Sequence, residues 1–206
     1  MLKSIYIVDD DDAVRGSLHA MLSTQQNMLV RSFRTGDRWL ENLDDLEPGV
    51  LLLDYNMPGS SGIEVLETLK AKAIRKFATI LVTGEGNIAL AVQAMQAGAL
   101  DFIEKPYDAN VMLARIELAF ARLNEEIAAV AHVEQAREKI NALSPREQEV
   151  LRGLIDGNAN KIIAHDLAIS PRTVEIYRAN VMTKLNVRSL PEAMRIAFAA
   201  GMIALT

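Results

Sequence analysis

Short apolar runs alternate with amphipathic segments along the first half of the chain. The runs predict buried β-strands, and the segments between them place apolar residues three and four positions apart, which predicts helices. Strands and helices that alternate in this way form βαβ units and a parallel sheet covered on both faces. The predicted strands are Ile5–Val8, Met28–Phe33, Val50–Leu53, Thr79–Val82 and Leu100–Ile103. The predicted helices are Val14–Leu22, Gly36–Leu43, Gly62–Ala71 and Ile88–Ala97.

A long helical segment follows the fifth predicted strand, because neither glycine nor proline occurs between Tyr107 and Ser144. Asp108 is a suitable N-cap for this helix. Its apolar positions have the spacing of a heptad seam. The pattern fits one helix that completes the first domain and connects it to the next, or a helix whose seam also pairs two protomers. The seam positions are Ile116, Phe120, Leu123, Ile127 and Val130.

The rest of the chain predicts a small all-α domain of four short helices. The first begins at the capping box Ser144-Pro145-Arg146-Glu147 and stops at Gly157. Two helices joined by a tight turn follow, which is the pattern of a helix-turn-helix. These two helices and the fourth are predicted at Asn160–Leu167, Pro171–Leu185 and from Ser189 to before Gly201. The predicted fold class is therefore α/β followed by all-α.

Charge separates the two ends of the chain. Residues 1–108 contain 16 acidic and 10 basic side chains, whereas residues 143–206 contain 6 acidic and 8 basic ones. The basic balance of the second end suits a nucleic-acid partner, although its net charge of +2 is small. The chain of 206 residues has no cysteine, no signal pattern and no apolar run of about 18 residues. These features predict a cytoplasmic protein without a membrane partner.

Carboxylates and one lysine stand where the predicted strands end. Asp9 and Asp10 follow the first strand, Asp54 ends the third in LLLDYNMPG, Thr83 ends the fourth and Lys105 follows the fifth. The carboxyl ends of parallel strands share one edge, so these side chains should converge there. Crowded carboxylates need a cation, and oxygen ligands without His or Cys favour Mg²⁺. An aspartate beside Mg²⁺, a lysine and a hydroxyl is typical of a phosphoryl acceptor.

Each of these features, taken singly, also has an ordinary structural explanation. The acidic run at Asp9–Asp12 suits the start of a helix, because negative charge there is favourable to the helix dipole. Asp54 suits a turn through Pro58 and Gly59, and Lys105 suits a solvated position before a proline. The coincidence of all of them at strand ends favours the site.

The segments IYIVDDD, LLLDYNMPG, ILVTGEG and DFIEKPY resemble the receiver domain of two-component response regulators, in order and over residues 1 to about 120. The resemblance implies a flavodoxin-like (βα)₅ fold with strand order 2-1-3-4-5. It also implies that Asp54 accepts the phosphoryl group. Asp10 would bind Mg²⁺ directly, Asp9 mainly through water, and Asn56 through its backbone carbonyl, with Asp54 as a further ligand.

The same resemblance implies a conformational switch. Thr83 and Phe102 match the hydroxyl and aromatic switch positions, and Lys105 matches the lysine that stabilises the phosphoryl group. Phosphorylation would draw Thr83 inward and let Phe102 turn into the vacated space, which remodels the face of the fourth helix and fifth strand. A plain core role for Phe102 fits the sequence as well. Asp11 and Asp12 fall outside the matched set and are expected to be solvated.

The segment from Leu143 to Ser189 resembles the LuxR-type helix-turn-helix domain, and with the receiver it resembles the FixJ/NarL branch of response regulators. The resemblance implies structural roles for Glu147, Leu151 and Gly157, which agree with a capping glutamate, a core leucine and a terminal glycine. The expected domains are a receiver at 1–120, a helical linker at 121–141 and a DNA-binding domain at 142–206.

The predicted recognition helix, Pro171–Leu185, places Val174, Val181 and Leu185 in the core. Its N-terminal half would enter the major groove of double-stranded DNA. There Arg178 could read guanine, and Glu175 could accept a hydrogen bond from cytosine or stay solvated. Phosphate contacts are predicted for Lys161, Arg172, Thr173 and Lys184, and the other residues left for the DNA-facing surface are Ile176 and Ala179.

These features together predict a phosphorylation-dependent transcription regulator rather than an enzyme. Its expected partners are a sensor histidine kinase, promoter DNA and a second copy of the chain, with RNA polymerase as a further candidate. A homodimer is expected when the protein is phosphorylated, because one weakly basic domain needs a second half-site.

Two other classes of protein share part of this pattern. A phosphatase of the haloacid-dehalogenase type also uses an aspartate nucleophile with Mg²⁺, but it needs a DxDxT pattern after the first strand, where this chain has DDDD. A DNA-binding protein with a vestigial receiver is disfavoured by the intact acid, hydroxyl and lysine set.

Overall fold

The computed structural model describes residues 2–84, 86 and 88–202. It divides the chain into two compact units, Met1–Ile127 and Ala128–Thr206. The division falls inside the expected linker.

The first unit contains one parallel five-stranded sheet. Its strands are β1 (Lys3–Val8), β2 (Met28–Phe33), β3 (Gly49–Asp54), β4 (Phe77–Thr83) and β5 (Asp101–Glu104). They lie in the order β2-β1-β3-β4-β5, which confirms the predicted fold. Every residue of β3 and β4 is buried, as continuous apolar runs between two helical layers require.

Four helices connect the strands, with bounds α1 (Asp12–Ser23), α2 (Gly36–Glu41), α3 (Gly62–Ala71) and α4 (Ile88–Ala97). The predicted extension of α2 to Leu43 is wrong. The side-chain amide of Asn42 donates to the carbonyl of Arg38 at 2.7 Å, and this bond competes with continuation of the helix. A 3₁₀ turn at Leu43–Asp45 follows instead.

The two faces of the sheet carry separate cores. Tyr6, Leu51 and Leu53 point to the layer that contains α2, α3 and α4, while alternate residues of the same strands point to the layer that contains α1. Trp39, the single tryptophan of the chain, is fully buried in the first layer. Its ring meets Phe77 edge-on, with 4.9 Å between centroids.

The long helix α5 spans Ala109–Asn141. Asp108 caps it as predicted, because its carboxylate accepts from the backbone N–H of Asn110 at 2.8 Å. Three of the five seam residues are buried in the core of the first unit, namely Ile116, Phe120 and Leu123. Only Ile127 and Val130 remain exposed, so the complete seam is not available to pair two protomers.

Up to residue 202, the second unit contains four helices after α5, with bounds α6 (Pro145–Ile155), α7 (Asn160–Asp166), α8 (Pro171–Leu185) and α9 (Leu190–Ala199). The capping box predicted at Ser144 and Glu147 is present in full. Gly157 follows the end of α6 with φ of 78°, a left-handed conformation that glycine adopts without strain. The predicted helix-turn-helix corresponds to α7 and α8.

The packing of α5 yields a stability prediction. Ile116→Ala should lower the free energy of unfolding of the first unit by about 2–5 kcal/mol, because it leaves a cavity in the core under the sheet. Leu118→Ala is the matched control, since Leu118 lies on the same helix and is 62% exposed, and it should change stability by no more than about 0.5 kcal/mol. Urea unfolding followed by Trp39 fluorescence measures both. Equal effects of the two substitutions would contradict the assigned orientation of α5.

Candidate functional site

The parallel register brings two carboxylates side by side at one edge of the sheet. Val8 of β1 pairs with Leu53 of β3, so Asp9, which follows Val8, lies beside Asp54 at the end of β3. Both residues are buried, with 3% and 6% of their surface exposed. Two desolvated acids this close require a positive partner.

Lys105 supplies that partner. Its Nζ donates to Oδ2 of Asp9 at 2.7 Å and to Oδ1 of Asp54 at 2.6 Å. The backbone N–H of Lys105 donates to the carbonyl of Thr83 at 2.7 Å, which holds the residue after β5 beside β4. The lysine is therefore fixed by its backbone as well as by its ammonium group.

Backbone N–H groups orient the remaining carboxylate oxygens. Oδ2 of Asp54 accepts from the N–H of Asn56 at 2.8 Å, and Oδ1 of Asp9 accepts from the N–H of Asp11 at 2.9 Å. Each carboxylate thus has one oxygen on Lys105 and the other on the loop that follows its strand. The arrangement fixes both acids before any reaction takes place.

Burial perturbs the titration of this cluster. It raises the pKa of Asp54 above its ordinary value, although the hydrogen bond from Lys105 opposes the shift. Burial alone would lower the pKa of Lys105, but its hydrogen bonds to Asp54 and Asp9 outweigh that effect, so the pKa is raised. A buried acid with a raised pKa beside a specific charge partner is a mark of functional sites.

The expected meeting of three carboxylates is only partly found. Asp9 and Asp54 meet, whereas Asp10 is exposed at the start of the loop. Within residues 2–84, 86 and 88–202, no group of three or more acidic, His or Cys side chains is arranged to hold a metal ion. The balancing cation among these residues is the ammonium group of Lys105.

The oxygen ligands nevertheless fit a small divalent cation. The cluster offers carboxylates and backbone carbonyls without His or Cys, and Mg²⁺ is held by one or two carboxylates while it keeps several waters. Asp9 and Asp54 meet that requirement. Asp10 and Asn56 are exposed at the adjoining loop ends.

The two predicted switch residues lie on neighbouring strands. Thr83 is the last residue of β4 and is 1% exposed, one position beyond the residue that pairs with Asp54. Phe102 lies in β5 and is half-buried against the core on the α2, α3 and α4 side. This intermediate burial is compatible with a core role and with a switch role.

Asp11 and Asp12 are exposed to solvent, as expected, and both also have partners within the protein. Asp11 caps α1 by accepting from the N–H of Ala13 at 2.7 Å. Asp12 pairs with Arg15 and also with Arg34, the latter at 2.6 Å. The guanidinium group of Arg15 in turn donates to the carbonyl of Asp9 at 2.6 Å. Sequence reasoning missed Arg15, although its spacing from Asp12 is typical of a helical ion pair.

A second contact that sequence reasoning missed steadies the loop after Asp54. Asp37, in the first turn of α2, accepts from the hydroxyl of Ser60 at 2.5 Å and from its N–H at 3.3 Å. The residues are 23 positions apart, so no local pattern indicates the bond.

The second unit presents the predicted recognition helix, α8, with its core face buried as expected at Val174, Val181 and Leu185. The residues exposed on its other faces include the predicted DNA-facing residues Arg172, Glu175, Ile176, Arg178, Ala179 and Lys184, together with Asn180 and Thr183. Ile176 is 55% exposed. Lys161 is exposed in the first turn of α7.

Two residues predicted to contact phosphate have partners within the protein. The hydroxyl of Thr173 lies 2.8 Å from that of Ser170, which caps α8. Lys184 forms an ion pair at 2.7 Å with Glu147, which is 3% exposed. The ammonium group of Lys184 is therefore engaged within the protein, while the side chain is still 44% exposed.

Comparison with known proteins matches both units to families. Residues 5–117 match the response regulator receiver domain, and residues 141–197 match the bacterial regulatory proteins of the luxR family. The chain is 43% identical to the transcriptional regulatory protein FixJ of Azorhizobium caulinodans over 197 residues, which cover 96% of this chain and 92% of that protein.

Solved structures give the same picture. A low-resolution structure of the response regulator StyR matches with a TM-score of 0.86 at 35% identity and covers 96% of this chain and 99% of that chain. Full-length FixJ from B. japonicum matches with a TM-score of 0.59 at 41% identity and covers 98% of both chains. Among the described residues, no helix is both long and apolar enough to span a bilayer.

The acidic cluster yields a prediction about stability and pH. Lys105→Met should destabilise the first unit by about 3–5 kcal/mol at neutral pH, because it leaves two buried carboxylates without a countercharge. The folded variant then binds protons more tightly than its unfolded state, so its stability should recover as pH falls. Urea unfolding with Trp39 fluorescence across a pH series measures the effect.

Lys72→Met is the control, because Lys72 is an exposed lysine of the same unit. It should change stability by no more than about 0.5 kcal/mol at every pH. A Lys105→Met protein with wild-type stability and no pH dependence would refute the countercharge role.

Proposed function

Because this chain belongs to the two-component response regulators of the FixJ/NarL type, we propose that phosphorylation of Asp54 controls its binding to DNA. Members of this family are transcription regulators rather than enzymes, and the receiver domain implies a sensor kinase as phosphoryl donor. The single observation that carries the assignment is the buried carboxylate of Asp54, held between Lys105 and the N–H of Asn56 at the sheet edge.

The proposed reaction is phosphoryl transfer from a phosphohistidine of a sensor histidine kinase. An oxygen of Asp54 forms the new O–P bond while the N–P bond of the donor breaks and the imidazole leaves. Lys105 already contacts Asp54 and is placed to donate to the transferred phosphoryl oxygens. Because Asp54 is fixed before the donor arrives, little reorganisation is needed.

Asp9, Asp10, Asp54 and the carbonyl of Asn56 are the proposed ligands of Mg²⁺, which receivers of this family use. The bound ion supplies positive charge that offsets the acidic edge and the phosphoryl group. Arg15 holds the carbonyl of Asp9, and Asp37 holds Ser60, so the two acidic loops are braced independently of the metal.

The conformational response is proposed to run through Thr83 and Phe102. Thr83 ends β4 beside Asp54, where its hydroxyl can turn to a phosphoryl oxygen. Phe102 is half-buried and can move further inward when the Thr83 loop shifts. The altered face, formed by α4 and β5, would then promote the homodimer.

DNA recognition is proposed to lie on α8. Arg178 and Glu175 are exposed and are the proposed readers of guanine and cytosine. Ile176 and Ala179 offer apolar contact to thymine methyl groups. Lys161, Arg172 and Thr173 are the proposed phosphate contacts. Two copies of the chain on neighbouring half-sites of promoter DNA would supply the affinity that one domain lacks, and RNA polymerase is a further proposed partner.

Phosphorylation at Asp54 can be tested by mass. Acetyl phosphate with Mg²⁺ should add one phosphoryl group to the wild type and none to Asp54→Asn, because the amide is not a nucleophile for this transfer. Intact-protein mass spectrometry measures the product. Asp44→Asn, at an exposed acid of the same domain, should be labelled like the wild type. Labelling of Asp54→Asn to the wild-type extent would place the acceptor elsewhere.

The base-reading role of Arg178 can be separated from a phosphate contact. Arg178→Ala should relax the sequence preference at one base pair, with a loss of discrimination of about 1–3 kcal/mol. Arg172→Ala should instead weaken all sequences alike. Selection from a random duplex pool by the phosphorylated protein reports preference, and fluorescence anisotropy reports affinity. If Arg178→Ala lowered affinity equally for all sequences, Arg178 would be a contact to the phosphate backbone rather than a base-reading residue.

A further inference from the structure

The C-terminal turn of the recognition helix is bonded to the first turn of α6. Nζ of Lys184 on α8 donates to Oε2 of Glu147 on α6 at 2.7 Å. The same oxygen accepts from the backbone N–H of Ser144 at 2.7 Å, as part of the capping box. The two residues are 37 positions apart, so the contact fixes one helix against another rather than supporting a single helix.

The burial of Glu147 makes the loss of this contact energetically costly. Glu147 is 3% exposed, and a buried carboxylate that loses its partner is costly. The hydrogen bond from Lys184 holds the pKa of Glu147 below its ordinary value, so the acid is charged at neutral pH. Movement of the Lys184 ammonium group to a DNA phosphate would take this hydrogen bond away from the buried carboxylate.

The first turn of α6 is itself firmly held. The side-chain amide of Gln148 donates to the carbonyls of Ile140 and Leu143 at the end of α5, at 3.1 and 3.3 Å. Val181 and Leu185 of α8 belong to the same buried cluster as Ile140 and Leu143. The Glu147 carboxylate is therefore a fixed point within the core of the second unit.

A small change in the tilt of α8 at Lys184 would produce a larger displacement of the side chains proposed to contact the DNA bases. Nine residues separate Lys184 from Glu175, a distance of about 14 Å along a helix. A tilt of about 10° with its pivot at Lys184 would move Glu175 by about 2 Å, which is beyond the tolerance of a hydrogen bond.

We propose that Lys184 is a positioning residue for DNA recognition: it fixes the end of α8 to α6 through Glu147, and so aims the base-reading side chains without contacting phosphate. This inference rests on the proposed function of α8 as the DNA-reading helix. It assigns sequence selectivity to a charged residue whose ammonium group is bonded to a neighbouring helix of the protein.

The test uses the full-length protein with beryllofluoride, a mimic of the phosphoryl group. Lys184→Met removes the charge and keeps the length of the side chain. Arg172→Met is the matched control, because Arg172 is an exposed base on the same helix with no ion-pair partner in the part of the chain that the structure describes. Each protein selects from a random-sequence duplex pool, and its affinity for the wild-type-selected duplex and for a mixed-sequence duplex is measured across salt concentrations.

Lys184→Met should broaden the selected sequence and lower affinity for the wild-type-selected duplex about tenfold, equivalent to losing one base-specific contact. Its salt slope should equal that of the wild type, because no phosphate contact is lost. Arg172→Met should keep the selected sequence and reduce the salt slope by about one. Lys184→Arg, which keeps the charge, should restore most of the selectivity.

A double variant guards against unfolding. Glu147→Gln with Lys184→Met removes both charges, so no buried carboxylate is left unpaired, and circular dichroism checks that it folds. It should show the same broadened selection and the same unchanged salt slope. If Lys184→Met or the double variant had a reduced salt slope and an unchanged selected sequence, Lys184 would be a phosphate contact. That result would overturn this inference and leave the proposed function of α8 intact. If the wild-type protein enriches no sequence at all, the proposed function of α8 is contradicted, and this inference with it.

Discussion

The ammonium group of Lys105 holds together an acidic edge that would otherwise repel itself. Two buried carboxylates from β1 and β3 share this one cation, and the backbone of the same lysine is tied to β4. The rest of the site depends on this arrangement, because it fixes three strand ends relative to one another. A phosphoryl group adds negative charge at this edge. Because the two carboxylates already share one ammonium group, the added charge must change the interactions among these three side chains, and such a change can alter the conformation of the domain.

The scaffold that carries this edge is stable for independent reasons. The central strands are apolar on both faces, and each face is covered by its own helical layer. The acids stand only beyond the last apolar residues, where the sheet ends. The proposed phosphorylation site is thus confined to strand ends and loops of the first unit, while the strands themselves maintain the register that brings the loops together.

The outline of the fold and the site was predictable where the signals are local. Apolar runs located the strands, and the run of leucines that ends in Asp54 located the buried carboxylate of the proposed acceptor. The position of Asp10 and the ties made by Arg15 and Asp37 were not predictable in the same way, because they depend on side-chain directions and on partners distant in sequence. The seam of α5 was ambiguous because a helix that covers a sheet uses the same spacing as a helix that pairs with another.

The same limit explains the assignment of Lys184. A lysine on a predicted recognition helix suggests a contact with DNA phosphate. Only the fold shows that Lys184 already forms an ion pair with a buried glutamate of another helix. Charge on a recognition helix is therefore a poor guide to contact unless the burial of its neighbours is known.

The helix α5 has a consequence for how the chain can be divided. Its first half covers the sheet of the first unit, and its last turns supply Ala136 and Ile140 to buried positions of the second. A fragment cut just before residue 142, where sequence resemblance begins, would lack both apolar side chains and the carbonyl of Ile140 that Gln148 binds. An autonomous DNA-binding fragment should start at least two helical turns earlier, within the segment that the sequence predicts to be only a helical linker.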